Sequence, residues 1–284
     1  MFNMIRADLY RLVRSKGLYF AILFMLLMIG LSVYFVGPGS IGIRDSMITN
    51  DEVSEKFQVV IAGLPDDEQS SISAEKFREI MLSIEGYELD RDILGTNINL
   101  YYVFIFIAVI IVTADFSGGS VKNTLSSSVP RSRYYLSKLC LISLCCVVIL
   151  FLNTYIVHFA TIIFDGANFA SSLGVVTEIT LLQLPPTLAF ASILTGIGFM
   201  AKKTAVFNTI AIPLILVFQT VLRAAALIFK IQDKYLYYEF QTMLMNLAND
   251  PSADFVWGSI GVSAAVIVVF NLLGYLSFKK AEIR

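Results

Sequence analysis

Apolar residues in this chain come in runs of about 20, separated by shorter polar stretches. That is the length of helix needed to cross the hydrocarbon core of a bilayer. The runs predict six transmembrane helices, at about 18–36, 98–114, 136–164, 177–200, 205–223 and 256–278. A Gly-Pro-Gly sequence at 37–39 closes the first. Lys230 and Asp233 argue against a seventh span after the fifth, because charges at membrane depth are costly.

The segments between the runs carry their own patterns. Residues 1–16 are amphipathic, with Phe2, Ile5, Leu9 and Leu12 on one helical face and Arg6, Arg11, Arg14 and Lys16 around it. This reads as a helix lying in the membrane interface. A basic start before an apolar run also fits a signal peptide, but the run from Gly17 to Val36 is long for a signal core and no A-x-A site follows. The region 40–97 is polar and predicts two short helices. One carries Val53, Phe57, Val60 and Ile61 after an Asn50 cap; the other carries Phe77, Ile80, Met81 and Ile84 after Ser73. The stretch 224–255 is semi-polar. Within it Leu236, Phe240, Met243, Leu244 and Leu247 share a face, which predicts an interfacial or re-entrant helix on the outer side.

Composition agrees with the pattern. Of 284 residues, 57% are hydrophobic and 15% charged, where a soluble domain carries about 25% charged. The fold class is therefore an all-α polytopic membrane protein: an interfacial helix at 1–16, then one six-span domain at 17–284. Orientation follows from the basic residues. The N-terminal helix, the 115–138 loop, Lys202 and Lys203, and the tail hold thirteen of the 21 Lys and Arg, against only Asp8, Asp115 and Glu282. With six spans these four segments share one side, which puts both termini in the cytoplasm of a multi-pass plasma-membrane protein. The 40–97 region, with five basic and thirteen acidic residues, then faces outward as a small helical subdomain.

The loop after span two reads DFSGGSVKNTLSSSVPRSRYYLSKL, from Asp115 to Leu139. Val121, Leu125 and Val129 recur every four residues and make a narrow apolar stripe on a helix too short to cross a membrane. Ser117 and Ser120 suit its N-terminus, Gly118 and Gly119 a tight turn, and Pro130 the start of the next helix. Taken by charge alone, the loop is a positive-inside segment that sets topology. The order of its residues, D-F-x-x-G-S-x-K-N-x-L followed by P-R-x-x-Y-x-x-S-K, resembles the type-2 ABC exporter permeases. Asp115, Phe116, Gly119, Ser120, Lys122, Asn123, Leu125, Arg131, Ser137 and Lys138 stand at the family's positions. Asp115 replaces a commoner Glu, Ser128 a usual Gly, and Pro130 precedes the Arg. The layout of the whole chain, including the Phe-Lys-Lys-x-x-Ile-Arg tail, matches as well. The resemblance implies that the segment 115–135, Val121 included, holds a coupling helix that docks in a groove of a separate cytoplasmic ATPase. It implies that the N-terminal helix, with Arg6, Arg11 and Arg14, lies against the same partner. Two ATPase copies and a second permease chain, identical or related, are implied too.

Chemistry within the chain is narrowly bounded. There is no G-x-x-x-x-G-K-[ST] sequence, so no ATP site is expected here; the resemblance places ATP and magnesium in the partner. Cys140, Cys145 and Cys146 all lie in one apolar run, and His158 is the single histidine, so neither a disulfide framework nor a metal site is expected. No cofactor and no nucleic-acid partner is expected; the remaining partner is the lipid bilayer. Polar groups at membrane depth are Asn153 and His158 in span three, Gln183 in span four, Asn208 and Gln219 in span five and Asn271 in span six. They read either as interhelical hydrogen bonds or as the lining of a pathway. Glu178 and Arg223 fall near outer span ends, where they pair or face water. Pro185 and Pro186 in span four and Pro213 in span five read as hinges or as packing features.

The reading that accounts for most of these features is the permease subunit of an ABC exporter moving an amphiphile outward, such as an antimicrobial peptide or a drug. The alternative is a membrane sensor or assembly protein that binds a cytoplasmic partner without transport. An intramembrane protease would need a Ser–His pair, paired aspartates or a zinc motif, and none stands in a recognisable setting.

Overall fold

The computed structural model describes residues 2–36, 89–95, 99–126, 129–164, 166–167, 170–229, 237–249 and 251–281. Every regular element among them is helical. The amphipathic α1 (Phe2–Arg14) is followed after Ser15 by the apolar α2 (Lys16–Val36). The short α3 (Leu89–Gly95) leads to span two, which is built of α4 (Asn99–Ala108), a π-helical turn at Val109–Thr113 and α5 (Ala114–Ser117). Next come α6 (Ser120–Ser126) and the long α7 (Arg131–Phe164). The second half comprises α8 (Leu173–Leu182), α9 (Leu184–Ala201), α10 (Thr204–Leu216), α11 (Phe218–Phe229), α12 (Phe240–Ala248) and α13 (Ala253–Lys280). Among the described residues five helices are long and apolar enough to cross a membrane, and a sixth if α10 and α11 form one bent span. The two helices expected in the fifties and the seventies lie outside the described residues.

The central helix is α9: 72% of its apolar window is buried, against 11% for the window of α13 and 22% for that of α2. It packs most extensively against α13, and also against α7, α10 and span two. The outward faces of α2 and α13, with Leu23, Leu27, Trp257, Val268 and Leu272 exposed, are hydrophobic as lipid contact requires. At 34 residues α7 is about 51 Å long, so it projects well past a ~30 Å core.

Two expectations need correction, and one open alternative is decided. The run at 177–200 is not one helix. Pro185 and Pro186 carry no N–H, so they cannot bond the carbonyls of Leu181 and Leu182, and α8 stops there. They occupy instead the first turn of α9, where the missing donors have no helical partner to lose. They start a helix rather than bend one. The run at 205–223 breaks at Val217, one turn after Pro213, and the two halves are inclined by 58°. Glu178 and Arg223 are both exposed and make no ion pair among the described residues. Lys202, with φ of 55°, turns the chain sharply from α9 into α10.

Candidate functional site

The four basic segments meet at one end of the bundle. Arg11 of α1 pairs with Asp115 of α5, and Arg131 of α7 reaches the end of α13. Thr204 of α10 lies 3.1 Å from the Thr113 hydroxyl and 3.2 Å from that of Ser117. Around this end stands a charge quartet, in which Lys138 and Asp115 are buried and Arg11 is partly exposed. The Lys138 amine, 1% exposed, is bonded to Asp8 at 2.8 Å and paired with Asp115. Arg11 pairs with Asp115 and, at 3.3 Å, with Asp8. The Tyr134 hydroxyl donates to the second Asp115 oxygen at 2.6 Å. Two carboxylates balance two cations, as removal from water demands. Partial burial opposes the charge on Arg11, but the hydrogen bond and the attraction of Asp115 and Asp8 outweigh it and raise its pKa above the usual arginine value. The quartet ties α1, the end of span two and the start of span three into one piece.

Beneath it lies an aromatic layer. Phe116 meets Phe199 edge-on at 5.6 Å and Phe278 at 6.1 Å, while Tyr135 lies 4.6 Å from Phe199. Arg131 Nη1 sits 2.6–2.9 Å from the carbonyls of Phe278, Lys279 and Ala281 at the C-terminal end of α13, where the Phe278 carbonyl also accepts from the Ala281 N–H. The π turn falls on Val109–Thr113, five successive β-branched residues, and β-branched chains crowd an α-helix. Gly119, at φ +68°, then turns the chain out of span two into α6.

The motif residues therefore divide. Asp115, Phe116, Val121 and Lys138 point inward; Val121 is only 1% exposed. The sequence reading placed Val121 on an outward stripe, and the bundle takes it instead as the anchor of α6. Lys122 and Asn123 are exposed, Leu125 is half-buried and Gly119 is at the surface. Ser117 bonds Thr204, and Ser120 bonds the Asp115 carbonyl. On α1, Arg6 and Arg14 are exposed, with Arg14 over the Tyr10 ring, whereas Arg11 is committed to the quartet.

The polar residues at membrane depth do not converge. Asn153 is buried in α7. Asn271 accepts from the Tyr135 hydroxyl at 2.9 Å and donates to Ile267 O. Gln183 Nε2 lies 3.3 Å from Leu94 O and Leu244 O, joining α3 to α12. Asn208 keeps a buried oxygen with no hydrogen bond among the described residues, and the side chain of Gln219 is outside those described. His158 Nδ1 is 2.8 Å from Asp90.

Asp90, fully buried, is one of thirteen acidic residues in the 40–97 region, and nothing in its spacing marked it. It also accepts from the Ser171 N–H at 3.0 Å and the Ser171 hydroxyl at 2.7 Å. Ser171 bonds the carboxylate and not the imidazole, so this is not a nucleophilic triad. Asp90→Ala is expected to lower the thermal unfolding temperature of the purified protein. It strands three donors that each cost about 1–3 kcal/mol when buried and unpaired; Asp90→Asn retains an acceptor and loses less.

No curated protein sequence matches the chain. A sequence profile of the family described as ABC-2 family transporter protein matches residues 2–283, and therefore takes in the quartet, the aromatic layer, α6 and all the candidate spans. The chain belongs to the ABC-2 transporter family, as the membrane permease subunit of an ABC transporter whose ATPase is a separate protein.

Proposed function

We propose that this permease works as an exporter, with the quartet end and both termini in the cytoplasm and α6 as the coupling helix of a separate ATPase. The observation that carries the reading is how α6 is held. Val121 is sunk in the bundle, the quartet locks the helices on either side, and Lys122 and Asn123 face out. A cleft lined by Lys122, Leu125, Ser126, Val129, Pro130 and Arg131 adjoins them. A rigidly mounted short helix with a polar tip and a half-buried apolar residue suits a groove in a partner. The excess of Lys and Arg at this end favours the cytoplasmic side. Two ATPase copies, each with ATP and magnesium, and a second permease chain complete the assembly.

The substrate we infer is an amphiphile, such as an antimicrobial peptide or a drug. The acidic 40–97 region attracts a cationic peptide at long range. Neutralising Asp66, Asp67 and Glu68 is then expected to reduce resistance to cationic peptides in cells carrying the transporter; unchanged resistance would remove the peptide reading.

The test of coupling is purification of the tagged chain from its native membrane in mild detergent, beside a Lys122→Glu/Asn123→Ala/Leu125→Asp variant. These three positions avoid the buried Val121, so the variant inserts. An ATPase with a phosphate-binding loop is expected with the native chain, and at least tenfold less of it with the variant. Equal recovery from both rules out α6 as the contact, and absence of any ATPase moves the protein to the sensor or assembly class.

A further inference from the structure

Away from the quartet, span two, α9, α10, α12 and α13 enclose a cavity of about 210 Å³. Its wall is almost wholly apolar, with Phe190, Ile193, Val266 and Phe270 among the lining residues. Tyr101, Glu239 and Gln241 break that wall, and the first two of them are buried. The Tyr101 side chain is 2% exposed, and its hydroxyl has no hydrogen-bond partner among the described residues. Its ring is wedged 4.3 Å from Phe190 and 6.0 Å from Phe104, so the hydroxyl is fixed in place. A buried hydroxyl left unpaired is rare and costs stability.

The second group is Glu239, 8% exposed and the N-cap of α12. Its Oε2 accepts from the Thr242 N–H at 3.1 Å and hydroxyl at 3.2 Å, which pins the carboxylate at the cavity. The neighbouring Phe240 ring packs 6.0 Å from Phe190 and holds this corner closed. Among the described residues the lining contains no Lys, Arg or His, so the formal charge they bring to it is negative. None of the five membrane-depth polar residues with described side chains lines it.

We propose that this cavity binds a small cationic amphiphile, whose ammonium head meets Glu239 and the Tyr101 oxygen and whose apolar body lies against Phe190, Ile193 and Phe270. An anion is repelled by Glu239. A pure hydrocarbon leaves Tyr101 unpaired. An ammonium donates to both oxygens, and a bond to a charged acceptor in an apolar wall is about twice as strong as a neutral one. The volume is below the ~300–1,000 Å³ of sites for drug-sized ligands, so the occupant is a single short chain. The inference rests on the cavity and not on the exporter reading: binding without any copurifying ATPase sustains this site and overturns that function, and the reverse result does the opposite.

The test uses the purified full-length chain in zwitterionic nanodiscs, with radiolabelled octylammonium in a proximity binding assay and octanol as neutral competitor. Saturable binding is expected, displaced by unlabelled octylammonium and at least tenfold less well by octanol. Glu239→Gln keeps an oxygen for Thr242, so α12 folds, and it is expected to weaken binding at least tenfold. Tyr101→Phe is expected to weaken it severalfold with no fall in unfolding temperature, since it removes a stranded hydroxyl. Val266→Phe fills the cavity and is expected to abolish binding with the carboxylate intact. Absence of saturable binding, octanol equal to octylammonium, or native affinity in either Glu239→Gln or Val266→Phe overturns the proposal.

Discussion

Replacing Lys138 by methionine is expected to cost about 3–5 kcal/mol of stability, the range for breaking a buried ion pair from one side. The amine sits between Asp8 and Asp115 and is itself 1% exposed. Without it two carboxylates face one guanidinium, and Arg11 is 42% exposed and shared with water. The loss is expected as a lower unfolding temperature of the purified protein and as release of α1 from the bundle, measured by crosslinking from α1 to α7. Lys138→Arg is not a rescue: a planar guanidinium needs more room than a compact amine. The informative rescue is the double variant Asp8→Asn/Lys138→Met, which leaves Asp115 with Arg11 and restores neutrality. If it recovers part of the loss, the interaction between the two sites is measured directly. If Lys138→Met unfolds at the native temperature with α1 still crosslinked, the quartet is not what joins these helices.

Gly274→Val is expected to disrupt the packing of α9 on α13. A Cβ at Gly274 would lie 2.7 Å from Gly196 Cα and 2.9 Å from the Tyr135 hydroxyl; one at Gly196 would lie 2.7 Å from Phe270 O. The first and last obstacles are backbone, which cannot swing aside, so the helices must separate. In a membrane, helices associate through close packing rather than exclusion of water, and small residues permit that approach. Overpacking costs about 1–3 kcal/mol even where side chains can yield. The substitution is expected to disturb the 2.9 Å hydrogen bond from the Tyr135 hydroxyl to Asn271 as well. Gly261 on the same helix has nothing within 4 Å of a Cβ, so Gly261→Ala is the matched control and is expected to leave the protein unchanged. A monodisperse Gly274→Val protein with the native unfolding temperature would show that this contact does not hold α9 to α13.

Much of the architecture was legible because membranes impose a simple rule. Backbone groups in hydrocarbon must be paired internally, so a run of about 20 apolar residues is a helix. The amphipathic start, the short helix after span two and the apolar face of α12 were readable from spacing. Charge placed the four basic segments together, and the contacts of Arg11, Arg131 and Thr204 join them. The division of the run 177–200 was missed although its cause was visible: adjacent prolines inside a long apolar run can equally begin a new helix. Asp90 was missed because a carboxylate in an acidic loop has no local mark of burial. The anchoring of Val121 was missed because a stripe of three apolar residues fits a partner's groove as well as the protein's own core.

The sequence by itself determined a helical membrane protein of the ABC-2 layout, which basic segments lie together and which loop carries the family motif. The helices and the shared basic side follow from hydropathy and charge, which act locally along the chain; the layout and the motif loop were read from the resemblance to the type-2 ABC permeases. Only the tertiary structure decided which motif residues face inward, that Asp8 completes the quartet 130 positions from Lys138, that Gly196 meets Gly274, and that Glu239 and Tyr101 share one cavity. Each depends on two helices far apart in the chain arriving at a given rotation and depth. A helix repeats its faces every 3.6 residues, so sequence narrows the face a residue occupies, while packing alone selects what that face meets.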